Sequence, residues 1–298
     1  MTSFRHLLTF ICTAALLTGC VDQHPVITDD IARRTALPVF MIPRDIPSEQ
    51  FVIQAYERVY KKSSPATLYI EGDGDQTPLN PVALRLAAQD GGSNVIWLAR
   101  PCQYLNVKAS KSCDKAYSSS KRFAPEVIDT YNQVLNNIKA YYNIPSFNLV
   151  GYDGGAAIAT ILASQRSDIT SIRTVAGNLD PKTTALAREQ ILADGSLNPL
   201  DFAAGISNIP QRHFIGKLDT ETPPAVYNSF AQAVENGQCM NVTLVDNADH
   251  ENGWAEQWKV LKDIPMDCAR PVEPAPVLFD PTPLDGDKGH ISHKKYKK

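Results

Sequence analysis

The chain has 298 residues, 43% of them hydrophobic, and a formal net charge of −3. It is long enough to bury a large core as one globular domain, and its slightly acidic balance lacks the basic footprint of a nucleic-acid-binding protein.

At the N-terminus Arg5 and His6 precede an apolar run from Leu7 to Leu17, followed by Thr18-Gly19-Cys20. This is the charged, apolar and small-residue order of a secretion signal, and it is too short to span a bilayer. Leu17-Thr18-Gly19-Cys20 also resembles a bacterial lipobox. That resemblance implies a signal peptide over residues 1–19 and an acyl-bearing Cys20. The mature protein would be held to a membrane of the cell envelope by lipid, facing the periplasm or the outer surface. An ordinary cleaved signal is the alternative. Export permits disulfides, and with Cys12 removed and Cys20 lipidated the remaining cysteines are Cys102, Cys113, Cys239 and Cys268. Three connectivities are open, of which local pairing, Cys102 with Cys113 and Cys239 with Cys268, is the simplest. The chain has no Cys-x-x-Cys and no nearby His pair, so no metal site is expected.

Residues 20–46 mix prolines, charges and isolated apolar residues without a sustained period, as a tether or an irregular first strand would. Val52, Ile53, Tyr56 and Val59 then fall at helical spacing, which predicts a short amphipathic helix over Gln50–Tyr60. Ala66–Ile70 is a compact apolar run, a buried strand that delivers the loop Glu71-Gly72-Asp73-Gly74 to a sheet edge. Asn80 and Pro81 read as the cap and first residue of a helix continuing to Ala88, and Asn94–Ala99 as a second buried strand. Cys102–Arg122 is rich in Ser and Lys and has no clear period, so it reads as an excursion stapled by its two cysteines. Pro125 opens a helix with an apolar stripe through Val127, Tyr131, Val134 and Ile138, which Ile144-Pro145 stops.

Phe147–Val150 predicts a strand, Ala156–Ala163 a small-residue helix, and Ser171–Val175 another strand. Residues 181–210 hold no long apolar helix and read as a small insertion rather than a lid domain. A strand over Arg212–Gly216, a helix over Pro224–Val234 and a last strand over Val242–Val245 follow. A helix from Gly253 to Leu261 then brings Trp254 and Trp258 onto one face. The alternation predicts an α/β domain over 47–270, with a mostly parallel sheet, helices on both faces and no large cap. Residues 271–298 are proline-rich and then basic, a tail that cannot bury enough apolar surface to order itself.

Between the strand at Phe147 and the helix at Ala156 stands Gly151-Tyr152-Asp153-Gly154-Gly155. It reads as a nucleophile elbow, the sharp turn whose glycines let one side chain stand at the C-terminal edge of a sheet. The usual elbow is Gly-x-Ser-x-Gly; here Asp153 holds the middle position. Asp219 after a late strand and His250 after the final one complete the order nucleophile, acid, base of an α/β-hydrolase fold. Each lies at a C-terminal strand end, where such sheets bind ligands. The N–H groups at Asp73 and Gly154 are the candidate oxyanion hole. Blander readings stand beside these: Asp219 capping a turn, Asp180 replacing it as the orienting acid, and His250 bonded only to Asp249 or to backbone. The chemistry calls for no metal or organic cofactor.

Over most of its length the chain resembles a group of bacterial secreted α/β-hydrolase proteins. The shared segments include Glu71–Gly74, Asn80–Leu84, Ala99–Tyr104, Arg122–Val127, Thr174–Asp180, Pro210–Phe214 and His250–Trp254. The resemblance implies a serine-hydrolase ancestry and identifies no substrate. Three departures gather at the site. Relatives have Gly-Tyr-Ser-Gly-Gly where Asp153 stands, a longer Trp-containing loop after Glu-Gly-Asp-Gly, and a Tyr-Trp-Thr run where this chain has Tyr117-Ser118-Ser119.

Asp153 admits three readings. A serine mechanism lacks its hydroxyl, leaving at most weak esterase-like activity. In an aspartyl mechanism, as in dehalogenases and epoxide hydrolases, the carboxylate attacks carbon and His250 activates the water that hydrolyses the ester. The helical cap and the elbow neighbours of those enzymes are missing here. In the third reading catalysis is lost: the carboxylate satisfies donors that once faced an oxyanion and joins a network with His250. A binding or scaffold protein with an envelope partner results. The clustered departures favour the third reading, while retention of Asp219 and His250 keeps the second in view.

Overall fold

The computed structural model describes residues 29–74, 78–104, 113–187, 195–234 and 237–268. The expected signal peptide, Cys20 and the tail over 271–298 lie outside the described residues. Eight strands form the sheet: β1 (Ile42–Pro47), β2 (Val52–Val59), β3 (Ala66–Ile70), β4 (Asn94–Leu98), β5 (Phe147–Tyr152), β6 (Ile169–Val175), β7 (Gln211–Gly216) and β8 (Met240–Val245). Their spatial order is β1-β2-β4-β3-β5-β6-β7-β8. β1, β2 and β4 pair antiparallel, and every pairing from β4 through β3 to β8 is parallel.

The helices are α1 (Asp29–Ala36), α2 (Val82–Gln89), α3 (Pro125–Tyr142), α4 (Gly154–Gln165), α5 (Pro181–Ala187), α6 (Pro224–Ala233) and α7 (Trp258–Leu261). α3, α4 and α6 cover one face of the sheet, burying Leu68, Leu149, Ile158 and Phe230 in one cluster. α1, α2 and α7 cover the other, around Tyr69, Trp97, Phe214 and Trp258. The insertion over 181–210 contributes α5 and a 3-10 stretch at Pro199–Ile206 packed on α4, and no cap domain stands among the described residues. None of the described helices is long and apolar enough to cross a membrane. Both local cysteine pairings are present, Cys102–Cys113 and Cys239–Cys268.

Four local expectations are corrected. Gln50–Tyr60 is not a helix but contains β2, which lies between β1 and β4 with six consecutive buried residues. A strand covered on both faces does not alternate, so its apolar residues mimic helical spacing. Two of its charged members are satisfied laterally: Arg44 Nε lies 2.6 Å from Glu57 Oε2, and Arg58 donates to the carbonyls of Val39 and Asp90. The tether expected over 20–46 gives way to structure from residue 29, because Ala32 and Ala36 of α1 are buried with α2 and β1 pairs with β2.

Asn80 does not cap α2. Pro81 is the N-cap, and the Glu71 carboxylate accepts from Ala83 N (3.2 Å) and Leu84 N (3.3 Å) instead. The last helix is one turn rather than Gly253–Leu261, because Gly253–Gln257 form turns pinned by Trp254 Nε1 on the carbonyls of Asp249 and His250. Trp254 and Trp258 are still buried in one cluster.

His213 on β7 is buried beside Tyr227 and Phe230, with Nδ1 2.8 Å from Thr174 Oγ1 and Nε2 3.1 Å from Gln211 Oε1. Burial, assisted by the Arg212 charge, pushes its pKa down to about 3. The imidazole is therefore neutral in the folded chain, while an unfolded histidine takes a proton near pH 6.5. Between those values the unfolded state binds the extra proton. The stability tied to this group is complete above about pH 6.5 and falls as pH drops toward 3, by about 1.4 kcal/mol per unit. Denaturant titrations at about pH 7 and about pH 5 should show this loss in the natural chain and a smaller one in His213→Gln. Equal losses would place the acid sensitivity elsewhere.

Candidate functional site

β5 runs into α4 through a turn with no room for side chains on its inner side. A Cβ at Gly151 would collide with the backbone of Gly155 and Ala156, and one at Gly155 with the carbonyls of Ile70 and Glu71. Asp153 occupies the turn at φ 47° and ψ −118°, a conformation that costs a non-glycine residue about 1–3 kcal/mol. Its backbone offsets that strain: Asp153 N donates to Val175 O, and Asp153 O accepts from Ala156 N and Asn178 N, each at 3.0 Å.

The loop after β3 comes up against this turn. Glu71, 2% exposed, fixes its start by accepting from Gly72 N, Ala83 N, Leu84 N and Trp97 Nε1. Burial pushes the Glu71 carboxyl up, and those four donors counter part of the rise. Two residues on, the Asp73 carboxylate is held by Arg100 Nη1 at 2.6 Å and Arg122 Nη1 at 3.1 Å. The Asp73 N–H then donates to Asp153 Oδ2 at 3.2 Å. Gly154 lies directly over the Asp73 carboxylate, where any Cβ would strike it.

His250, in the loop after β8, approaches from the other side. Its Nδ1 lies 3.1 Å from Asp219 Oδ2 and 3.4 Å from Thr222 Oγ1. Its Nε2 lies 3.7 Å from Asp153 Oδ1 and 3.9 Å from Glu221 Oε2, and its ring sits 5.6 Å from that of Tyr152. Asp219, in the loop after β7, also accepts from Glu221 N, Thr222 N and the Thr222 hydroxyl. Burial would raise the Asp219 carboxyl, but the hydrogen bond and charge of His250, with the Thr222 donors, outweigh it and hold the group below the usual carboxylate range. Burial and the neighbouring Asp153 carboxylate push the Tyr152 phenol well up, so it stays protonated.

The structure thus gathers Asp73, Asp153, Gly154, Asp219 and His250 at one sheet edge. It keeps Asp180 apart, as a cap of α5 accepting from Lys182 N, Thr183 N and the Thr183 hydroxyl. Asp249 is likewise turned to Glu251 N and Asn252 N. Sequence reading missed the carboxylate anchor Glu71, the arginine pair on Asp73, and Thr222 and Glu221 beside the imidazole. Glu71, Arg100 and Arg122 fall inside segments that carried the resemblance noted in the sequence, a signal that marks the segments and not the partnerships within them. Access is narrow: Asp153 is 3% exposed and His250 8%.

No family model matches the sequence, and no curated protein matches it. Solved structures do resemble it. Est1E from Butyrivibrio proteoclasticus superposes with a TM-score of 0.54 at 11% identity, covering 74% of this chain and 97% of its own. Esterase Pf2001 from Pyrococcus furiosus gives 0.56 at 15% identity, covering 76% and 92%. The Pyrococcus horikoshii acylaminoacyl peptidase gives 0.54 at 12% identity, covering 73% of this chain and 38% of the peptidase. At such identities the likeness is one of fold, and the chain has the α/β-hydrolase fold.

The elbow clearances make a direct test. Gly155→Ala should destabilise the chain by about 3 kcal/mol, because the new methyl meets two carbonyls on a neighbouring strand end. Gly91→Ala, with nothing within 4 Å of the added Cβ, should be neutral or stabilising by up to about 1 kcal/mol. Paired thermal melts check both; equal effects would contradict the close approach of α4 to β3.

Proposed function

We propose that this chain is a lipid-anchored cell-envelope protein in which an esterase-like site has become non-catalytic, and that it acts as a binding or scaffold protein for another envelope component. The supporting observation is the 3.2 Å hydrogen bond from Asp73 N–H to Asp153 Oδ2. A backbone donor positioned to receive an oxyanion is already taken by the elbow's own side chain. A carboxylate also has no hydroxyl proton to surrender to His250, and its charge opposes a second negative charge developing beside it. The anchor rests on Leu17-Thr18-Gly19-Cys20.

A second reading draws on the 3.7 Å between Asp153 Oδ1 and His250 Nε2, together with the intact hydrogen bond from His250 to Asp219. There Oδ1 attacks an electrophilic carbon and expels its leaving group. A water deprotonated by His250 then hydrolyses the resulting ester and restores the carboxylate. The low exposure of Asp153 weighs against it, because the attacking oxygen needs a substrate beside it.

The purified mature protein should turn over no ester, epoxide or haloalkane. Asp153→Ser should gain ester hydrolysis by about a hundredfold or more, and His250→Ala added to it should remove the gain. Turnover by the natural chain, with heavy oxygen from water entering the Asp153 carboxylate, would replace the first reading with the second. For the anchor, Cys20→Ser should abolish acyl labelling and release the protein from the membrane fraction; unchanged fractionation would contradict it.

A further inference from the structure

One face of the parallel sheet changes character along its strands. Near the C-terminal strand ends it carries Val175 and Phe214, packed in one cluster with Trp258. Toward the N-terminal ends the same face carries Thr67, Asn148, Ser171 and Arg173. Central parallel strands are ordinarily apolar on both faces, so four polar positions here face something other than a helix. α7, a single turn ending at Leu261, leaves a cleft of about 760 Å³ over them. The cleft lies toward the opposite end of the strands from Asp153 and His250.

Its charged groups are unequally satisfied. Lys262 is paired with Asp263 at 2.8 Å and lies 3.9 Å from Asp90, and Asp90 further accepts from the Tyr69 hydroxyl and Gly92 N. Arg173 differs: it feels the charges of Asp263 and Asp90, but its Nε is shut off from solvent and has no hydrogen-bond partner among the described residues. Beside it, Asn148 Oδ1 accepts from the hydroxyls of Thr170 (3.0 Å) and Ser171 (2.6 Å). That arrangement uses the amide oxygen and leaves Nδ2 as the remaining donor of a side chain that lines the cleft. A guanidinium with an unused buried donor is costly unless an acceptor is brought to it, and its fork suits two oxygens of one anion.

The geometry points to a second site: this cleft binds an anion through a carboxylate or phosphate group, whose oxygens accept from Arg173 and from Asn148 Nδ2. The site is independent of how Asp153 is read.

Titration of the mature protein with inorganic phosphate and, separately, citrate tests this through the nitrogen-15 resonance of Arg173 Nε. The resonance should move saturably, Arg173→Gln should weaken binding at least about tenfold by calorimetry, and Asp153→Ala should leave it unchanged. An Arg173 resonance unmoved by both anions would overturn the proposal. So would binding that Asp153→Ala abolishes, which would place the anion at the elbow.

Discussion

The hydrogen bond from the Asp73 backbone to the Asp153 carboxylate is the contact on which the rest of the site depends. It requires two strand ends to meet within a hydrogen bond of each other, and the chain uses several unusual local devices to achieve that. Asp153 is held at positive φ, glycines at 151 and 155 admit backbone where side chains would collide, and Glu71 ties the opposing loop to the N-terminus of α2. Arg100 and Arg122 then clamp the Asp73 side chain, so that its N–H has little freedom to turn elsewhere. A buried polar arrangement of this kind is costly when half satisfied, which explains why so many partners surround one peptide N–H.

The same contact separates geometry from chemistry. Strained turn, imidazole and the carboxylate beside it meet at one sheet edge, and the His250–Asp219 hydrogen bond is made. Fold and arrangement do not supply a reaction. In the proposed reading, what separates a reactive from an inert site is whether the elbow side chain leaves the Asp73 N–H free for a substrate. Here the carboxylate takes it.

Much of this was legible in the sequence wherever local rules and tertiary structure agree. The parallel strands were short apolar runs, α3 carried a long stripe opened by Pro125, and Gly151-Tyr152-Asp153-Gly154-Gly155 announced its turn through glycines that only a close backbone approach demands. The failures arose where tertiary structure overrode a local signal. β2 lost its alternation because both of its faces are covered, and α1 escaped notice because eight residues with two buried alanines make a weak pattern. Asn80 looked like a cap, but a carboxylate nine residues earlier does the capping, a partnership invisible to any local window. The arginine pair on Asp73 was hidden for the same reason: Arg100 and Arg122 lie 27 and 49 positions away from it in sequence.

The most direct test is where the Asp153 carboxylate sits when an outside anion competes for the Asp73 N–H. A high-resolution crystal structure of the natural chain grown with excess methylphosphonate measures this. Asp153 Oδ2 is expected to remain hydrogen-bonded to Asp73 N, with no phosphonate in the elbow. A carboxylate swung away, with the phosphonate oxygens on Asp73 N and beside His250, would contradict it and return the site to the anion-binding hydrolases.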